Sequence, residues 1–161
     1  MLLLGMIPSR VYSSKERMTV KVSEIMSGDV VCVSPSEPVS YAARLMNRYN
    51  IGAVPVTTDR GQVIGIVTDR DIVTRCIAAQ EPPESTPVGA IMTKKTATVD
   101  SEEDVREAVR IMTDGKVRRV PVVRGGEVVG IVSLGDVSAL HSFDMEASLA
   151  LSEISSNIKR V

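Results

Sequence analysis

The chain repeats itself. Ile25–Met26 recurs as Ile91–Met92, an offset of 66 positions, and at that offset Val33 meets Val99, Glu37 meets Glu103 and Val39 meets Val105. Ala42, Arg44 and Met46 then fall on Ala108, Arg110 and Met112, and Val54–Pro55–Val56 on Val120–Pro121–Val122. One deletion in the second copy shortens the offset to 65, where Gly65–Ile66–Val67 meets Gly130–Ile131–Val132 and Asp71 meets Asp136. No local pattern constrains the fold as much, because each copy must be one supersecondary unit that buries its apolar face on the other. The division expected is a leader at 1–19, a first repeat at 20–80, a linker at 81–86, a second repeat at 87–141 and a C-terminal amphipathic helix at 142–161.

Within each copy the periodicity changes in the same order. Val30–Val33 is a short β-branched run, hence a strand. Val39, Ala42, Ala43, Leu45 and Met46 recur at helical spacing, with Pro38 suited to the first turn. Asn50 in copy one and Gly115 in copy two are read as left-handed stops. Ala53–Thr57 and Val63–Thr68 are strands joined through Asp59–Arg60–Gly61, and a second helix follows from Asp69 to about Ala79. The order is βαββα, twice. A three-stranded unit with helices on one face cannot bury enough surface alone. The fold class expected is therefore α/β (α+β), two βαββα repeats packed sheet to sheet with pseudo-two-fold symmetry.

Composition narrows the function. The formal net charge is −1, from 19 basic and 20 acidic residues, whereas nucleic-acid binders carry a basic excess. Only Lys94–Lys95 and Arg118–Arg119 form basic clusters. With one Phe, three Tyr and no Trp, the core must be built from aliphatic side chains, as thin helix-covered sheets allow. Cys32 and Cys76 lack metal-ligand spacing and read as buried free thiols in a reducing cytosol, so a cytoplasmic location is expected. The apolar start Met1–Ile7 stops at Pro8, too short to span a bilayer and without the basic residues of a secretion signal. It is read as a flexible leader or an overcalled start, with no membrane partner.

Two features recur where a ligand could lie. Thr68-x-x-Asp71 and Ser133-x-x-Asp136 stand where a strand ends and a helix begins. A hydroxyl there can meet phosphate beside free backbone N–H groups, and an acid one turn later can accept from ribose hydroxyls. The same spacing is a capping box that stabilises a helix start with no ligand at all, and the two roles are compatible. The second feature is the strand around Val-Pro-Val, preceded in copy two by Lys116–Val117–Arg118–Arg119. Adjacent arginines on a strand point to opposite faces, so one could enter a cleft while the other stays solvated; alternatively both form a solvated basic edge that discourages aggregation.

The doubled combination of Ile-Met, Val-Pro-Val and Gly-Ile-Val-Thr/Ser-x-x-Asp resembles a tandem pair of CBS domains over about residues 20–141. Ile51–Val56, Thr68–Val73 and Lys116–Val122 make it similar to small stand-alone bacterial members. The resemblance implies a disc-like module with two clefts between paired sheets, and a regulatory ligand carrying adenosine: AMP, ADP, ATP, NAD, S-adenosylmethionine or cyclic di-AMP. It implies that Thr68 and Ser133 contact phosphate, that Asp71 and Asp136 hold ribose, and that Val30, Val31, Thr96 and Ala97 lie near the base. Ala53 to Pro55 and Arg119 to Pro121 would line the clefts, with Arg70, Arg118 and Arg119 as phosphate contacts. Ser133 departs mildly from Thr. Gly52–Ala53 stands where copy two has its arginines, so one stronger phosphate site is expected, served by the second copy, with a first cleft poorly suited to polyphosphate.

No catalyst is expected. His141 is the only histidine and reads as a helix-end residue, no phosphate-binding glycine loop occurs, and no acidic cluster has metal-binding spacing. Ala147, Leu151, Ile154, Ile158 and Val161 step by four and three residues, a seam too short for an independent coiled coil. It would pack on its own module or on a second subunit, and a homodimer is expected. The function expected is an adenine-nucleotide sensor acting on an unknown partner. The alternative is a ligand-independent protein-interaction module in which the hydroxyl–acid motifs only cap helices.

Overall fold

The computed structural model describes residues 19–140 and 143–156. The leader apart from its last residue, His141, Ile158 and Val161 lie outside the described residues.

Two three-stranded sheets form, one per repeat. In the first, β1 (Ala53–Thr57) pairs antiparallel with β2 (Val63–Thr68), and β2 with β3 (Thr93–Lys94). In the second, β4 (Val99–Asp100) runs parallel to β5 (Arg119–Arg124), which pairs antiparallel with β6 (Glu127–Ser133). The helices are α1 (Val39–Tyr49), α2 (Asp69–Asp71), α3 (Val88–Ile91), α4 (Val105–Gly115), α5 (Leu134–Ser138) and α6 (Asp144–Ser155). The pseudo-two-fold relation is visible in single bridges. Ser27↔Ile131 is the counterpart of Thr93↔Ile66, and Gln62 bridges Glu127, its own repeat mate.

The repeats interlock. β3 belongs by sequence to the second copy yet completes the first sheet, and Val88 and Ile91 lie in the first core. Reciprocally, Val22 is fully buried in the second core, its N–H donating to the Glu103 carbonyl at 2.9 Å, just as Val88 N–H donates to Glu37 at 2.8 Å. The segment read as a linker is tied down as well: the carbonyls of Pro83 and Thr86 accept from Ser40 and Val39 at the start of α1, each at 2.9 Å.

Four local expectations are corrected. Val30–Val33 is not a strand; only Val33 bridges Val56, because the preceding residues turn into a cleft instead of following β1. Asn50 does stop α1 in the left-handed region (φ 52°), but α4 stops on Lys116 (φ 52°), its repeat mate, with Gly115 still helical. The helix from Asp69 changes after α2 to a π-helix over Ile72–Ile77 and ends there. Thr74 Oγ1 donates to the Arg70 carbonyl at 2.7 Å, taking an acceptor that the helix would otherwise use. Finally, α6 buries Ala147, Ala150 and Ile154 against α4 and α5, with Phe143 buried just before its start, whereas Leu151 is 45% exposed. Ala150, one residue before Leu151, takes the seam position because α6 packs on α4 and α5 of its own repeat with that face inward. Among the described residues no helix is long and apolar enough to cross a membrane.

Candidate functional site

Both hydroxyl–acid motifs are complete capping boxes. Thr68 Oγ1 accepts from Asp71 N–H at 3.2 Å and donates to Asp71 Oδ2 at 2.8 Å, while Thr68 N–H donates to the same oxygen at 2.9 Å. In the second copy Ser133 N–H and Oγ each donate to Asp136 Oδ2 at 2.7 Å, and Oγ accepts from Asp136 N–H at 3.2 Å. The capping reading of these residues is therefore realised twice. The carboxylates differ in their other oxygen. Asp71 Oδ1 lies 3.3 Å from the Arg75 guanidinium, whose position is fixed by a 2.8 Å bond to the Ile91 carbonyl. Asp136 forms no ion pair among the described residues.

Each box opens onto a cleft walled by the other repeat. The first cleft, of about 570 Å³, sets Thr68, Asp71, Arg70 and Thr96 opposite Lys116, Arg118 and Arg119. Ile154 of α6 closes one side. The second, of about 320 Å³, sets Ser133, Asp136, Val30 and Val31 opposite Asn50, Ile51, Gly52 and Ala53. The two walls are repeat mates: Asn50–Ala53 of copy one occupies the place that Lys116–Arg119 holds in copy two. Both volumes suit a small organic ligand.

This arrangement corrects the expected placement of the arginines. They do not serve their own copy's box alone; the basic run faces Thr68 and Asp71, so the cleft expected to be poorly suited to polyphosphate is the more basic one. The reason is the fold, which sets the strand entry of one repeat across from the strand exit of the other. Nor do the two arginines part to opposite faces. β5 starts at Arg119, so Arg118 lies before the strand, where alternation does not apply, and both line the first cleft. Arg70, Lys116, Arg118 and Arg119 form no ion pairs among the described residues.

Ala53 lines both clefts, and so does Arg119. Ala97, Pro55 and Pro121 line neither. The two prolines are buried in mid-strand opposite Ile66 and Ile131, where a ring without an N–H fits: β1 is an edge strand, and Pro121 precedes the two residues that pair with β4. Among the lining residues that the sequence did not single out as ligand contacts are Asp29, Asn50, Arg75 and Ile154. The first two could have been found by carrying Lys95 and Lys116 back through the repeat offset. No local signal points to Ile154.

Comparison with known proteins agrees with this geometry. The CBS domain family model matches residues 22–77 and 88–140, more than half of the chain. Hypoxic response protein 1 of Mycobacterium tuberculosis is 35% identical over 115 residues, covering 71% of this chain and 80% of that protein. A crystal structure of hypoxic response protein I with two coordinated zinc ions superposes with a TM-score of 0.70 at 33% identity, over 75% of this chain and 98% of the other. Among the described residues of this chain, no three His, Cys, Asp or Glu side chains gather where they could hold a metal ion. The CBS domain pair of protein MJ0100, in complex with 5-methylthioadenosine and S-adenosyl-L-methionine, has a TM-score of 0.70 at 27% identity, over 78% of this chain and 98% of that one.

Proposed function

The chain belongs to the CBS domain family as a tandem pair, and we propose on that footing that it is a regulatory module whose two clefts take adenosine-containing ligands. One observation carries the reading. The interlock sets the hydroxyl–acid pair of each repeat across a cleft from the strand entry of the other, so a bound ligand touches both repeats at once. The adenosine ligands of the MJ0100 pair support the chemical class. A ligand bridging two repeats can shift a conformational or assembly equilibrium only if its affinities for the two states differ. On this proposal Asp71 and Asp136 accept from ribose hydroxyls, the cations of the first cleft meet phosphate, and Val30, Val31 and Thr96 lie towards the base. The output then passes to another chain.

The test is thermal stability across AMP, ADP, ATP, NAD, S-adenosylmethionine and cyclic di-AMP. A ligand at a hundred times its Kd adds about 2.7 kcal/mol, which a melting curve resolves readily. Asp71→Ala with Asp136→Ala should abolish the gain; absence of any gain in the wild type would end the proposal. The completeness of the capping boxes favours a second reading, a ligand-independent interaction module. That reading predicts a partner captured equally with and without nucleotide. Self-association belongs to the same proposal, since Met145 and Leu149 leave an apolar side of α6 open to a second copy. Light scattering that returns a monomer mass would remove it.

A further inference from the structure

The two clefts share one guanidinium. Arg119 lines both, and so does Gly52, which stands between them. A Cβ placed on Gly52 would lie 3.7 Å from an Arg119 terminal nitrogen and 3.1 Å from Asp69 Oδ2. The arginine tip thus lies in van der Waals reach of the septum at Gly52, and the tight neighbour there is the Asp69 carboxylate. Apart from this shared group, the clefts differ in sign. The first adds Arg70, Arg75, Lys116 and Arg118 against Asp69 and Asp71. The second adds only acids, Asp29 and Asp136.

We propose that the chain holds one phosphate-bearing ligand, not two: the first cleft takes it and draws Arg119 to its side, and the second cleft takes an adenosine ligand without phosphate. This deepens the reading of the clefts as adenosine sites and rests on it. With Arg119 engaged in the first cleft, the second presents no basic side chain among its lining residues, and the like charges of Asp29 and Asp136 repel phosphate oxygens. An uncharged or cationic adenosine ligand suffers no such penalty there. Its ribose hydroxyls find an acceptor in Asp136, whose carboxylate, unlike that of Asp71, is in no ion pair among the described residues.

Titration calorimetry on the full chain with ATP and adenosine tests the proposal. ATP should bind once per chain, and adenosine should still bind once to the ATP-saturated protein. Arg119→Ala should weaken ATP by about tenfold, the loss of one charged contact. The repeat also offers a gain of function. Asn50→Lys with Gly52→Arg copies Lys116 and Arg118 into the second cleft, and Asn50 already holds the left-handed conformation that Lys116 tolerates. This pair should raise ATP binding to two per chain in a protein whose melting temperature shows it folded. Two equal ATP sites in the wild type, exclusion of adenosine by ATP, or a folded double variant that still takes one ATP would overturn the charge division while leaving the adenosine reading intact. If neither ATP nor adenosine binds, the adenosine reading itself falls, and this inference with it.

Discussion

Gly65→Ala tests the interlock of the two repeats, because the sign of its effect depends on it. In an ordinary strand, alanine in place of glycine is neutral or stabilising, since it restricts the unfolded chain by about 0.4–1 kcal/mol. Here a Cβ on Gly65 would lie 2.7 Å from the Thr93 carbonyl oxygen and 2.9 Å from Met92 Sδ. The methionine tip can swing away, but the carbonyl is backbone. To reach ordinary contact near 3.4 Å it must withdraw by about 0.7 Å. β3 is held to β2 only by Gly65↔Lys94 and Ile66↔Thr93, so the displacement falls on the whole of its pairing. Overpacking of this kind costs about 2 kcal/mol, the middle of a usual range of about 1–3 kcal/mol, leaving a net loss of about 1–2 kcal/mol after the chain-entropy gain. For a chain of this length that is a fall in Tm of about 3–8 °C. Gly130→Ala should lose less, because its closest contact is the Met26 sulfur at 2.5 Å and its backbone contact, Ser27 O, is 2.9 Å away. Gly28→Ala, with nothing within 4 Å, is the control and should not destabilise. Circular-dichroism melts of the three variants decide the matter. A Gly65→Ala protein as stable as the wild type would refute the close crossing of β2 by the second repeat's leading segment.

Three other outcomes follow from particular contacts. Phe143→Ala removes a side chain 1% exposed, with the Arg106 guanidinium 4.7 Å above its ring, and should cost about 3–5 kcal/mol; Leu151→Ala should cost under about 0.5 kcal/mol in the same urea titration, and a reversed order would contradict the observed seam of α6. Thr68→Ala and Ser133→Ala each lose a cap, so both should destabilise by about 1 kcal/mol without any ligand present; unchanged unfolding midpoints would show that the boxes do not hold their helix starts. Burial pushes the Cys32 thiol up, against a smaller lowering from its hydrogen bond to Thr57, so its thiolate forms only above the usual cysteine range. Iodoacetamide should alkylate it more slowly than free cysteine at about pH 8.5, and a matching rate would argue against that burial.

The repeat carried most of what the sequence could say. Paired strands, helix stripes and both capping boxes follow from local chemistry applied twice, and they are where the pattern puts them. The failures have two causes. Val30–Val33 has the composition of a strand, but whether it pairs depends on a cleft built from the opposite repeat. The arginines of copy two were visible, yet the cleft they face was not, because periodicity says nothing about which repeat crosses which. Leu151 and Ala150 are adjacent and apolar, and only the surface beneath α6 chooses between them. Gly115 looked like the natural stop for α4, but the mate of Asn50 is Lys116, and the repeat offset outranked residue preference. For Val30–Val33 and the arginines the other copy sets the place; for Leu151 and Gly115 the choice falls between adjacent residues of one copy, which local preference does not separate.

The capping boxes bear on what kind of ligand the first cleft can recognise. The Thr68 hydroxyl has one proton, which it gives to Asp71 Oδ2. A deprotonated phosphate oxygen can only accept, so its contact with Thr68 must take that proton and leave Asp71 short of a donor. A fully ionised phosphoryl group has no proton with which to repair the loss. A ribose hydroxyl can, because it donates to the carboxylate as Thr68 turns away. The backbone half of the cap, Thr68 N–H to Asp71 Oδ2 and Asp71 N–H to Thr68 Oγ1, need not break in the exchange. A molecule that brings phosphate and ribose together therefore keeps every donor and acceptor satisfied, whereas either part alone does not use the box fully. In the second cleft Ser133 can keep its proton on Asp136 while a ribose hydroxyl takes the outer oxygen, so a nucleoside without phosphate disturbs nothing. Capping and binding are thus not rival roles for these residues. The cap holds the carboxylate at the cleft mouth, and the proposed ligand is the one whose own hydrogen bonds can be exchanged for the single bond it displaces.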